Sequence, residues 1–106
     1  MFLKISKHII EEEAKALLLL SKSLDTNYDK VLSLLSKANG NIILSGVGKS
    51  GHIARKIAST LTSTGTPAYF IHPTEASHGD LGSIRKKDIL CLLSKSGKSQ
   101  ELLDIL

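Results

Sequence analysis

A short apolar run that breaks into glycines and passes at once into a helical repeat constrains this chain more than any other feature. Asn41-Ile-Ile-Leu44 reads as a buried strand, Ser45-Gly-Val-Gly-Lys-Ser-Gly-His52 as a loop, and Ile53-Ala-Arg-Lys-Ile-Ala-Ser-Thr-Leu61 as helix. Glycines let the backbone approach a ligand closely. The free N–H groups and the positive end of the helix then face it, so the unit is built to meet an anion. A second unit repeats the order. Asp88-Ile-Leu-Cys-Leu-Leu93 reads as strand, Ser94-Lys-Ser-Gly-Lys-Ser99 as a hydroxyl- and glycine-rich loop, and Gln100-Glu-Leu-Leu-Asp-Ile-Leu106 as helix. Two such loops at one edge of a sheet point to a small phosphorylated ligand.

The rest of the pattern fits around these units. Leu3, Ile9, Ile10, Ala14, Leu17, Leu20 and Leu24 recur at helical spacing and predict a helix over 2–24, with Leu18 and Leu19 widening its apolar surface. A second helix is expected over 28–38, with Val31, Leu32, Leu34, Leu35 and Ala38 inward and Asn39-Gly40 as its glycine C-cap. Strands follow at 41–45, 68–71 and 88–93, separated by a helix over 50–63 and a helical turn over 74–78 with Thr74 as N-cap. Gly79 to Gly82 reads as a turn. This alternation predicts an α/β fold, a parallel sheet with flanking helices. Residues 1–39 form a helical N-terminal segment and 40–106 a βαβαβα core. The last helix begins only near Ser99, so the expected architecture is the first part of a larger domain, ending after its third strand.

Composition narrows the function. The 106 residues carry a net charge of +4, no Trp and two Phe. That balance suits an anionic substrate, and the scarcity of aromatics argues against a base-stacking nucleic-acid surface. No apolar run approaches the ~20 residues of a membrane span, and no signal peptide is evident, so a cytoplasmic protein is expected. Cys91, the lone cysteine, lies in an apolar strand pattern and reads as a buried structural thiol in a reducing compartment.

Each motif also has a plainer reading. Gly46-x-Gly48-x-x-Gly51 satisfies a dinucleotide fingerprint, but the next strand ends at Ile71-His72-Pro73 without the ribose-binding acid. Gly48-Lys49-Ser50 imitates the end of a P-loop, but Ile43 stands where its first glycine belongs. Ser94, Ser96 and Ser99 surround one glycine and can converge on a single phosphate; alternatively, they begin an ordinary Ser-capped helix. Lys49 at a helix start opposes the dipole and so hints at ligand duty, whereas Glu101 is comfortable in a first turn without any function. His72 and His78 bracket a turn at the sheet edge where ligands bind, but they are too few for a zinc centre.

Taken together, Ser45-Gly-Val-Gly-Lys-Ser-Gly-His52, Ser63-Thr-Gly-Thr-Pro67, His72-Pro-Thr-Glu-Ala-Ser-His-Gly-Asp-Leu-Gly82 and Ser94-Lys-Ser-Gly-Lys-Ser-Gln-Glu101 resemble the sugar isomerase (SIS) domain of arabinose 5-phosphate isomerases. The resemblance implies a three-layer, flavodoxin-like sheet and interconversion of D-arabinose 5-phosphate and D-ribulose 5-phosphate for the synthesis of Kdo, lipopolysaccharide or capsule. It implies catalytic roles for Lys49 and Glu101. It implies phosphate contacts from Ser94, Ser96 and Ser99 with Ser50 nearby, and a sugar site lined by Gly65, Thr66, His72 and His78. No cofactor is required; His72 matches a position able to bind an inhibitory zinc. Relatives of this kind are homotetramers, and the apolar first helix suits self-association. Three departures stand out: Lys95 and Lys98 replace the family's amide and acid, a further active-site glutamate and histidine lie beyond this sequence, and the paired CBS modules are absent. A non-catalytic sugar-phosphate-binding module is therefore the second reading, and dinucleotide binding the third.

Overall fold

Residues that alternate every second position and residues that repeat every third or fourth sort themselves into the layers of this chain. The computed structural model describes residues 1–106 and divides into two units, Met1–Leu34 and Leu35–Leu106. The first unit is helical. Helix α1 runs Phe2–Ser23 and buries none of its side chains. Helix α2, Thr26–Ser36, starts two residues earlier than the periodicity indicates. Asp25 explains the early start, because its carboxylate accepts the Asn27 N–H at 2.9 Å and so supplies an N-cap. The expected inward face of α2 is only partly realised. Val31, Leu32 and Leu34 are exposed, and Leu35 alone of that helix packs into the core of the second unit. Periodicity marks which side chains share a face; it does not supply the surface that would cover them.

The second unit holds a three-stranded sheet, β1 (Ile42–Gly46), β2 (Ala68–Phe70) and β3 (Ile89–Leu93), in the order β2-β1-β3. Both pairings are parallel, with Ile42 opposite Ala68 on one side and Ile89 on the other. Central β1 is buried along its whole length, as a continuously apolar strand of a parallel sheet should be when both faces are covered. Ile42 and Leu44 face α3 (Gly48–Ser63) through Ala54 and Ala58. Ile43 faces the opposite layer, where Ile71, Ala76, Leu102 and Ile105 gather. That layer carries α4 (Pro73–Ser77), a 3₁₀ turn over Asp80–Ser83, and α5 (Gln100–Leu103). Alanines on α3 let the helix lie close to the sheet. The expected three-layer α/β fold is what forms.

Two local expectations are corrected. Thr74 is not the cap of α4. His72 is, its Nδ1 accepting the Thr74 N–H at 3.1 Å, and Pro73 takes the first helical position that suits a proline. Gly40 is not a left-handed C-cap, since its φ is not positive. A Cβ there would lie 2.5 Å from Asp88 Oδ1 and 2.6 Å from the Lys87 carbonyl oxygen. The glycine is required by close approach of the 87–88 turn. Asp88 meets the same segment, accepting the Asn41 N–H at 2.7 Å and the Arg85 N–H at 2.7 Å.

Candidate functional site

Strand order decides where a ligand can sit. From β1 the chain crosses to β2 on one side and then to β3 on the other, so the strand order reverses beside β1. In open parallel sheets a crevice forms at such a reversal, beyond the carboxyl ends of the strands. Ser45 and Gly46 pair with Leu92 and Leu93, so the loops that follow β1 and β3 begin side by side at this point.

The first loop is a glycine-tightened turn. A Cβ on Gly51 would lie 2.6 Å from the Gly46 carbonyl oxygen, and one on Gly46 would lie 2.9 Å from the Ser50 carbonyl carbon. The two glycines permit strand and helix to meet almost without a connecting loop. Gly48 adopts φ +61°, a left-handed conformation that glycine enters without steric cost. Helix α3 therefore starts at Gly48, earlier than expected, and Lys49 and Ser50 stand in its first turn. Lys49 is exposed and Ser50 half-buried. No acid lies in that turn to offset the lysine.

Hydroxyls shape the second loop. Ser94 Oγ accepts the Gly97 N–H at 2.9 Å and lies 3.4 Å from Ser99 Oγ. Ser96 Oγ accepts the Lys98 N–H at 3.0 Å. Gly97 takes φ +71° to allow the turn. Ser94 and Ser99 thus come together, whereas Ser96 is folded onto its own loop. Each hydroxyl used as an acceptor keeps its proton to donate, so the loop can offer several O–H groups to one anion. Ser99 occupies the N-cap position of α5 as expected, but its hydroxyl makes no capping bond. Glu101 is exposed in the first turn of that helix, and Lys95 and Lys98 are exposed on the loop.

The histidine segment flanks the crevice from β2. His72 caps the start of α4 and His78 its end, the His78 N–H bonding to the Glu75 carbonyl at 3.1 Å. An imidazole that accepts at Nδ1 carries its proton on Nε2. Gly65 and Thr66 lie elsewhere. They follow α3 and precede β2, with the Thr66 N–H bonded to the Leu61 carbonyl at 2.8 Å. They therefore sit at the amino edge of the sheet, opposite the two loops, and the chain does not bring them to the other expected site residues. Ser45, read as the first residue of the loop, is fully buried and donates to the Ile71 carbonyl at 2.6 Å. It ties the ends of β1 and β2 together.

The residues present do not assemble a metal centre. No group of three or more His, Cys, Asp or Glu side chains converges, so His72 would be a solitary ligand. Nor does an acid close β2, which ends at Phe70 before Ile71 and His72, and Glu75 stands inside α4. Cys91 is half-buried on β3, and burial pushes its thiol pKa up, which keeps it protonated and inert. Sequence reasoning missed Arg55 and Phe70. The Arg55 guanidinium carbon lies 4.0 Å from the centre of the Phe70 ring, and both residues line a small cleft that His72 shares. No helix of this chain is long and apolar enough to cross a membrane.

The SIS domain profile matches residues 34–106. Over 100 residues the chain is 52% identical to arabinose 5-phosphate isomerase KpsF of Escherichia coli O6:H1 (strain CFT073), spanning 93% of this chain and 31% of that protein. Arabinose 5-phosphate isomerase KdsD of Yersinia pestis is 41% identical over 105 residues, 99% of this chain and 32% of its own length. Among solved structures, an E. coli CFT073 protein in complex with arabinose 5-phosphate superposes with a TM-score of 0.91 at 42% identity, covering 99% of this chain and 56% of that one. The chain thus spans about a third of the length of the curated relatives it matches.

Proposed function

The chain belongs to the SIS domain family, and from that premise we propose that it is the N-terminal part of a sugar-phosphate isomerase acting on D-arabinose 5-phosphate and D-ribulose 5-phosphate. The observation that carries this reading is that the 46–51 turn and the serine loop 94–99 leave the ends of two adjacent, paired strands, β1 and β3. A phosphate held there meets hydroxyl protons, backbone N–H groups and the positive ends of α3 and α5. Relatives that share 41% and 52% of the sequence carry the arabinose 5-phosphate isomerase name, which supports the choice of substrate. Supply of a precursor for Kdo, and so for lipopolysaccharide or capsule, in the cytoplasm follows from the same reading.

The reaction moves hydrogen without any external reagent. C2 of the open-chain aldose loses its hydrogen to a base, C1 gains one, and a hydroxyl proton passes from O2 to O1 through an enediol. In this reading Lys49 faces the developing oxyanion, where a fixed positive charge is most effective. Glu101 takes part in the proton transfer. Ser94, Ser96 and Ser99 hold the phosphate with Ser50 beside them, and His72 and His78 border the sugar. Gly65 and Thr66, at the far edge of the sheet, are given no part in this step, and the whole protein is read as a homo-oligomer. No step is assigned to a metal or cofactor.

Exposure of both Lys49 and Glu101 favours a second reading, a sugar-phosphate-binding module without turnover. An amide NMR titration of the 106-residue chain with arabinose 5-phosphate, with NAD as control, tests both. Saturable shifts at Gly48, Gly97 and Ser99 with the sugar phosphate alone are the expected result; dispersed spectra without them would sink the ligand assignment. An isomerase assay on the same sample then separates enzyme from module. Activity abolished by Lys49→Ala and by Glu101→Gln is the outcome the catalytic assignment requires.

A further inference from the structure

The turn after β1 also borders a second space, away from the serine loop. Between it and the end of β2 lies a cleft of about 150 Å³ lined by Gly46, Gly51, His52, Arg55, Phe70 and His72. A cleft beside the glycine turn is placed to take the part of a phosphosugar beyond the phosphate.

Two side chains of this cleft, Arg55 and His72, offer hydrogen-bond donors. Arg55 projects from α3 with its guanidinium carbon 4.0 Å from the Phe70 ring centre. Stacking on an aromatic face fixes the guanidinium plane and leaves its N–H groups at the rim free to donate. No carboxylate is paired with it. Phe70 is itself held edge-on against His72, with ring centres 6.5 Å apart and planes at 75°. His72 spends Nδ1 on the Thr74 N–H, so the polar group it has left is Nε2–H, a donor. Guanidinium and imidazole thus both present N–H groups, which complement carbonyl and hydroxyl oxygens.

The distance between the two places also fits. The serine loop leaves β3 and the cleft lies at the end of β2, with β1 between them. Neighbouring strands are about 4.8 Å apart, so the two places, one to two strand spacings apart, are separated by about 5–10 Å. An extended five-carbon chain with a terminal phosphate ester is comparable in length. We propose that Arg55, steadied by Phe70, is a specificity-determining residue that binds the carbonyl and hydroxyl end of the phosphosugar together with the Nε2–H of His72. This assignment rests on the phosphosugar reading above.

Calorimetric titration of the 106-residue chain with arabinose 5-phosphate, glycerol 3-phosphate and inorganic phosphate tests it. Glycerol 3-phosphate shares the phosphate but is too short to reach the cleft. The wild-type chain is expected to favour the pentose phosphate over glycerol 3-phosphate by about tenfold, the scale of one charge-assisted hydrogen bond. Arg55→Met, and separately the charge-preserving Arg55→Lys, should reduce that preference to within twofold while leaving the affinity for glycerol 3-phosphate unchanged. Circular dichroism of each variant verifies that the fold is intact, and the lysine variant serves if the methionine variant does not fold. A preference retained in both variants overturns the role of Arg55 while leaving the phosphosugar reading in place. Absence of binding by all three ligands to the wild type overturns both.

Discussion

At the scale of single residues, the site is built from contacts that leave no space for ordinary side chains. Gly46 and Gly51 face each other so closely that a Cβ on Gly51 would sit 2.6 Å from a backbone oxygen. Backbone cannot yield as a flexible side chain can, so Gly51→Ala should destabilise the fold by about 3 kcal/mol, the upper end for overpacking. Gly48→Ala meets no atom within 4 Å and faces only its positive φ, so it should lose about 1 kcal/mol. Urea denaturation of the two variants compares them directly, and equal midpoints would refute the distinction. The glycines, the serine loop and the lysine were legible in the sequence because each declares itself within eight residues. The Arg55–Phe70 stack was not. Its partners are 15 positions apart and meet only when α3 lies on the sheet beside β2. His72 as a cap was hidden for another reason, since imidazole is not among the usual capping side chains; Pro73 at the next position was the available signal. Ser45 closes the expected strand and opens the expected loop, but its full burial was not legible, because serine is rarely fully buried and the Ile71 carbonyl that accommodates it lies 26 positions away.

Among the elements, entry into β3 depends on one carboxylate. Asp88 is bonded to the backbone N–H of Arg85 and of Asn41, and these bonds, the Arg85 one foremost, hold its pKa below the ordinary 3.8. A carboxylate with a folded pKa below its unfolded one adds stability that is present in full above the unfolded value. That contribution is lost as pH falls through the folded value. Thermal melts should therefore show stability declining as pH drops from about 5 through the carboxylate range. Asp88→Asn should flatten that part of the profile, and an unchanged profile would show that the clasp is not what titrates. Strands and long helices were readable from period alone, and β1, α1 and α3 fall within two residues of expectation. The second helix shows where period stops being informative. Its apolar stripe is real, but Val31, Leu32 and Leu34 remain exposed, because no covering surface is encoded in the stripe itself.

On the scale of the whole molecule, two features govern how this chain meets others. Helix α1 leaves Leu17, Leu18, Leu19 and Leu20 exposed, a contiguous apolar surface of a kind that marks association sites. The proposed homo-oligomer draws on it. A Leu17→Ser/Leu20→Ser double variant should lower the average mass in sedimentation equilibrium while leaving the fold's stability within about 0.5 kcal/mol, as for surface positions. An unchanged mass would remove α1 from the assembly. The second feature is the strand order. With β1 in the middle, β3 lies at the margin of the sheet, and its sequence, Ile89-Leu-Cys-Leu-Leu93, is uncharged and without proline. A strand of that composition suits a parallel sheet whose strands are covered on both faces. The element that carries the serine loop therefore also offers the seam along which the rest of a larger sheet would be laid.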